Sequence, residues 1–262
     1  MKFLIYLIAL VVVLVISYFV KKNRSGKWTE LSARRGWQWI GDAKPRIDER
    51  LASGPFGTGS NKDDEYVMHG IFDGLDVLSG IYSYQTGFGR SRTTYSLRYV
   101  ATMGPQTPTL QLIKGGWWVN RKKATITFPD PEFNKRWNIT GDEGFVRAVI
   151  TPQVAGFLMG LDKNCGFLLE NGLLTAWIRG GTGKVDEDGL NWACRQLTSF
   201  INIIPENVKA AFPQGFPRPD GSGPAPLPGT PAPAVATAPN TPSLGAGGHH
   251  DGVSGADAPP RR

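Results

Sequence analysis

Residues 66–85, YVMHGIFDGLDVLSGIYSYQ, set Asp73-Gly74 between two β-prone runs. An Asp-Gly pair suits a type I′ turn, which needs positive φ at both central residues and matches the twist of the strands it joins. The stretch predicts a β-hairpin. Residues 165–180, CGFLLENGLLTAWIRG, repeat the arrangement around Asn171-Gly172. A further strand is predicted over 92–103, where Tyr95, Leu97 and Tyr99 alternate with polar residues. Shorter strands are expected at 37–40, 110–113, 124–128 and 137–139. The acidic run Asp63, Asp64, Glu65 just before the first hairpin reads as a solvated loop.

Helices frame these strands. Residues 27–35 read as helical with Gly36 as the cap, and 45–52 as a short helix. Asp142 opens another, and Thr151-Pro152 restarts the chain with Thr at the N-cap and Pro at the first helical position. The clearest helix begins at Asp186, with Glu187 and Asp188 in a first turn whose dipole favours acids. Leu190, Cys194, Leu197, Phe200, Ile201 and Ile204 then recur at spacings of three and four, and Pro205 ends the run. Hairpins followed by an amphipathic helix predict an α+β domain over 36–212 with a mainly antiparallel sheet.

Ahead of this domain stands FLIYLIALVVVLVISYFV, residues 3–20, with no charge and fourteen Leu, Ile, Val or Phe among eighteen positions. As a helix it would be about 27 Å long, against a hydrocarbon core of about 30 Å. Insertion is favourable by about 4–8 kcal/mol. The run is apolar on every face, unlike an ordinary core helix. Ser-Tyr-Phe-Val-Lys-Lys follows it instead of the small-x-small site of a signal peptide. An uncleaved transmembrane helix is therefore expected. Its flank, 21–35, carries Lys21, Lys22, Arg24, Lys27, Arg34 and Arg35 against Glu30 alone. The positive-inside rule keeps that flank in the cytoplasm. The expected arrangement is a single pass of the plasma membrane with the bulk of the chain cytoplasmic.

The formal net charge is +7. The stem 21–35 carries +5 of it, and 36–212 only +1. A nucleic-acid domain carries its own positive face, so the distribution excludes that class and points to the membrane as partner. The six stem cations are the candidate contacts for anionic lipid headgroups, at about 1 kcal/mol each near the surface. From 213 to 262 the chain holds twelve Pro and nine Gly in fifty residues, too little apolar surface to offset its ordering entropy, and a disordered tail is expected.

No catalytic constellation emerges. RGGTGKVDED, from Arg179, lacks the first glycine of a phosphate loop, where Ile178 stands, and its hydroxyl residue, where Val185 stands. GFGRSR, from Gly87, lacks the third glycine of a dinucleotide fingerprint and reads as a hairpin tip. His69 is the one histidine of the domain, within a strand near Asp73 and Asp76, and is read as structural. Cys165 and Cys194 show no metal-binding spacing. Neither metal nor cofactor is expected. Trp117-Trp118, before Arg121-Lys122-Lys123, suits either core packing or a headgroup interface.

The segments KPRIDERLASGPFGTG (44–59) and EFNKRWNITGDEGFVRAVITP (132–152), with NIIPENV (202–208), resemble a group of uncharacterised actinobacterial membrane-anchored proteins. Their shared outline has a Gly-Pro-Phe loop, a hairpin, a Glu-Phe-Asn entry to a strand, a short helix, and a helix ending at Ile-Pro. Here these are Gly54-Pro55-Phe56, Glu132-Phe133-Asn134 and Ile204-Pro205. The resemblance implies membrane attachment and a common fold, and transfers no activity. The expected role is a non-catalytic interaction or scaffold domain with a protein partner. The alternative is a domain binding lipid or a small ligand at the membrane surface.

Overall fold

The computed structural model describes residues 2–42, 46–115, 126–162, 164–180, 186–212 and 215–217. Trp117-Trp118, most of the glycine-rich stretch after Arg179, and all but three residues of the tail lie outside them.

The first helix, α1 (Lys2–Arg34), joins the apolar run and the basic stem without a break. It is long and apolar enough to cross a membrane, and none of its apolar window from Tyr6 onward is buried against the rest of the chain. Gly36, with φ of +65°, turns the chain back into β1 (Gln38–Gly41).

After the short α2 (Ile47–Arg50) come β2 (Ser60–Phe72) and β3 (Leu75–Thr86). They are joined at Asp73 and Gly74, whose φ values are +48° and +78° as the turn type demands. Then follow β4 (Thr93–Met103), β5 (Leu110–Lys114), α3 (Pro131–Arg136), β6 (Trp137–Gly141), α4 (Glu143–Val149) and α5 (Pro152–Gly160). The second hairpin is β7 (Cys165–Glu170) and β8 (Leu173–Arg179), again with positive φ at Asn171 and Gly172. The long α6 (Glu187–Ile203) and short α7 (Glu206–Ala210) complete the domain.

The eight strands form one sheet in the order β1-β2-β3-β4-β8-β7-β5-β6, with every neighbouring pair antiparallel. Both faces are covered. On one, Val100, Ala176 and Phe167 of the sheet pack with Leu190, Leu197 and Phe200 of α6 and with Trp28 and Leu31 of α1. On the other, residues 46–59 lie as a strap over an aromatic patch. Phe56, fully buried, plugs that patch, with ring centres 5.2 Å from Tyr82, 6.1 Å from Tyr99 and 5.7 Å from Trp177. Phe216 reaches back to Phe212, so the core extends a few residues past the last helix.

Two local expectations are corrected and a third is sharpened. Asp63–Glu65 is not a loop but part of β2, because Asp64 turns inward and finds donors there. Glu132-Phe133-Asn134 does lead into a strand, β6, but as the body of helix α3, capped by Asp130 through Glu132 N, with Pro131 in its first turn. Residues 126–128 form no strand; Ile126 makes one backbone bond, to Ile139.

Candidate functional site

The stem repeats at spacings of three and four: Lys21, Arg24, Trp28, Leu31, Arg35 share one helix face. Trp28 and Leu31 sit in the domain core at 2% and 0% exposure. Trp28 stacks on Tyr66, ring centres 5.9 Å apart. The Arg98 guanidinium lies 5.1 Å from the centre of the Trp28 ring.

Arg98 is itself buried and pairs with Asp186 at 3.1 Å. It also donates to the Asp186 carbonyl. Asp186 caps α6 by accepting from Gly189 N at 2.9 Å. Helix α1, the sheet and α6 thus meet at one buried cation. Its Nε and Nη2 have no hydrogen-bond acceptor among the described residues, so the indole face takes part of the charge. Burial lowers the Arg98 pKa while Asp186 opposes the shift, and a guanidinium stays charged regardless.

The six stem cations divide. Arg35 pairs with Glu187 at 2.8 Å and with Asn191 at 2.7 Å, and Arg34 meets Glu187 at 3.4 Å. Both therefore hold α1 against α6. Lys21 meets Glu65 at 3.3 Å and Asp42 at 3.8 Å, and the Asp42 charge first of all raises its pKa. Lys22, Arg24 and Lys27 are exposed and form no ion pair among the described residues. Lys21 directly follows the apolar run, so its acidic partners stand at the end of that run.

The strap is pinned by two inward carboxylates. Asp64 accepts from Ile47 N at 3.0 Å and from the Tyr99 hydroxyl at 3.0 Å. Burial pushes its pKa up to about 7, although both hydrogen bonds favour the charged form. Glu170 accepts from Ala52 N, Ser53 N and the Ser53 hydroxyl at 2.8, 3.0 and 2.6 Å. His69 is fully buried, with Nε2 against an Asp76 oxygen, within the first hairpin. Cys165 and Cys194 are free and buried.

At the opposite edge of the sheet a groove of about 540 Å³ runs between α3 and α5, with Phe128, Phe133, Ile150, Ala155 and Met159 among its walls. Across α3 lies a second hollow of about 430 Å³ with Lys114, Lys135 and Arg136 on its rim. The sequence reading missed this groove because its walls come from two separate segments, 128–133 and 150–159. It also missed Trp28 and Leu31 as docking residues, although their place in the three-four repeat of the stem was a usable signal.

Fold and site define a class: an α+β domain built onto a helix able to span a membrane. No family model and no curated protein sequence matches the chain. A solved structure that resembles it is that of the mycobacterial trehalose monomycolate transport factor A, TtfA. The likeness has 11% identity and a TM-score of 0.46, over 71% of this chain and 96% of that one. A similarity at that level carries no argument about role.

Proposed function

We propose that this chain is a single-pass plasma-membrane protein whose cytoplasmic domain is a non-catalytic interaction module held close against the inner leaflet. One observation carries the reading. The helix that would span the bilayer continues unbroken to Arg34 and buries Trp28 and Leu31 in the domain. From Val20 to Trp28 the axial rise is only about 12 Å. A domain fused this way has little freedom to reorient, so one of its faces is always presented to the membrane and the others to partners. The positive flank supports the cytoplasmic side. Lys22, Arg24 and Lys27 are the stem cations left for headgroups.

Three measurements test this. Alkaline extraction should leave the chain in the membrane pellet, and a C-terminal reporter should resist protease added outside. Cross-linking in intact membranes should then capture a discrete protein with the full chain but not with residues 1–27 alone. Release by alkali, or identical capture by both chains, overturns the reading.

The groove between α3 and α5 favours a second reading, in which the domain holds an amphiphile with its chain among Phe128, Phe133 and Met159 and an anionic head towards Lys135 and Arg136. Displacement of a fluorescent fatty acid, weakened by Ala155→Trp, would support it. Unchanged binding in that variant would remove it.

A further inference from the structure

Beyond α1, the described residues leave two large apolar side chains exposed, Ile71 at 48% and Phe88 at 91%. Phe88 stands at the tip of the β3–β4 hairpin in GFGRSR, with Arg90 and Arg92 beside it. All three are exposed, and neither arginine forms an ion pair among the described residues. The tip is a built turn. Gly87 and Gly89 have φ of +81° and +57°, and the Phe88 carbonyl accepts from Ser91 N at 3.2 Å and from the Ser91 hydroxyl at 2.8 Å. A side chain at Gly87 would meet the Ser91 carbonyl at 2.4 Å. The turn therefore holds a bare phenylalanine outward.

Its direction follows from the register. β1 returns alongside α1: Trp37 N donates to Ser32 O at one end, and Asp42 meets Lys21 at the other. The way from Gln38 to Asp42 is thus the way from Arg34 to Lys21, towards the bilayer. Gly41 is paired with Val67 of β2, and Glu65, which also reaches Lys21, is paired with Ile81 of β3. Past that level β2 continues to Ser60 and β3 to Thr86, so the tip leaves the sheet on the membrane side. From Ile81 to Phe88 the arm is about 23 Å long at strand rise, more than half the hydrocarbon thickness, so the tip rests in the interfacial layer only with the arm running obliquely over the bilayer surface. Gln85, Thr93 and Thr94 make it polar, so only the tip suits lipid.

We infer that residues 87–92 form a second membrane contact, with Phe88 in the interfacial layer and Arg90 and Arg92 on anionic headgroups. The inference rests on the anchored reading above and adds a lipid-charge requirement that the anchor alone does not have. An aromatic at the headgroup level with cations beside it is the composition that interface favours. With α1 and this tip as two supports, the tilt of the domain over the bilayer is set.

The full chain in lipid nanodiscs tests it. The native thiols are buried, so a nitroxide attaches at Phe88→Cys, with Asp73→Cys at the far end of the sheet and Leu14→Cys in the span as references. Accessibility to oxygen against a water-soluble nickel chelate is the readout. In discs with anionic lipid the Phe88 position should favour oxygen several-fold over the Asp73 position. It should lose that preference in purely zwitterionic discs and in the Arg90→Glu, Arg92→Glu background. A Phe88 label that matches Asp73, or one immobilised yet open to the chelate, overturns the proposal while the Leu14 label still reports lipid. A Leu14 label that reports water overturns the anchor instead.

Discussion

Arg98, in the centre of the sheet, lies 5.1 Å from the ring of Trp28, on the helix that carries the apolar span. The contact is sealed at 1% and 2% exposure, so a charge and an indole share one dry site. It couples the position of the domain to α1.

Removing the partner of that charge should be costly. Asp186→Ala removes a helix cap and the half-exposed carboxylate partner of a buried guanidinium, about 2–4 kcal/mol. Asp142 caps α4 in the same manner through Phe145 N at 2.8 Å, with no buried cation attached. Asp142→Ala should cost only about 0.5–2 kcal/mol. Urea unfolding of the two variants of the detergent-solubilised chain compares them directly, and equal losses would refute the role given to Arg98.

Trp28→Ala should destabilise the domain by about 3–5 kcal/mol through the cavity it leaves. Trp28→Phe keeps an aromatic face over Arg98 and should recover much of that loss. Thermal unfolding followed by near-ultraviolet circular dichroism reads both. An unchanged midpoint for the alanine variant would mean that the stem does not dock.

Asp64 makes stability depend on pH. Its carboxyl is raised from 3.8 to about 7 on folding, so between those values the folded chain binds more protons than the unfolded one. Stability therefore falls as pH rises through that window, by about 4 kcal/mol in order of magnitude from this group, and stays lower above it. Asp64→Asn can accept from Ile47 N and donate to the Tyr99 oxygen without a charge. The variant should flatten the loss between pH 5 and 8 and exceed the parent chain at pH 8. Parallel profiles would show that Asp64 is not the group responsible.

Both thiols should be inert in the folded chain. Burial pushes Cys165 and Cys194 each up to about 12. At pH 8 the thiolate fraction is roughly a thousandfold below that of a free cysteine. A disulfide reagent should titrate neither until denaturant is added. Rapid labelling of one native thiol would contradict the packing of that residue.

What could be read from the chain was local. Asp73-Gly74 and Asn171-Gly172 carry their turn geometry in two adjacent residues. Thr151 and Asp186 cap helices through donors only three positions away. Glu132–Asn134 shows the limit: Asp130 and Pro131 supplied a helix start, but three residues suited either state. Asp64 shows another, since its acidity suits solvent and the donors that bury it, Ile47 N of the strap and the Tyr99 hydroxyl of β4, stand 17 and 35 positions away.

The apolar run, the two hairpins and the amphipathic last helix were determined by sequence alone, because each depends on backbone conformation or periodicity within a few residues. Pairing of β4 with β8 joins Arg98 to Ile178 across eighty positions, and no nearby residue encodes such a partner. The same long-range assembly decided the fate of the stem cations, turning Arg34 and Arg35 to Glu187 and leaving Lys22, Arg24 and Lys27 to the solvent. Charge is legible in a chain, but the partner of a charge is set by what folding brings within about 4 Å, where Coulomb attraction outweighs hydration and ordering costs.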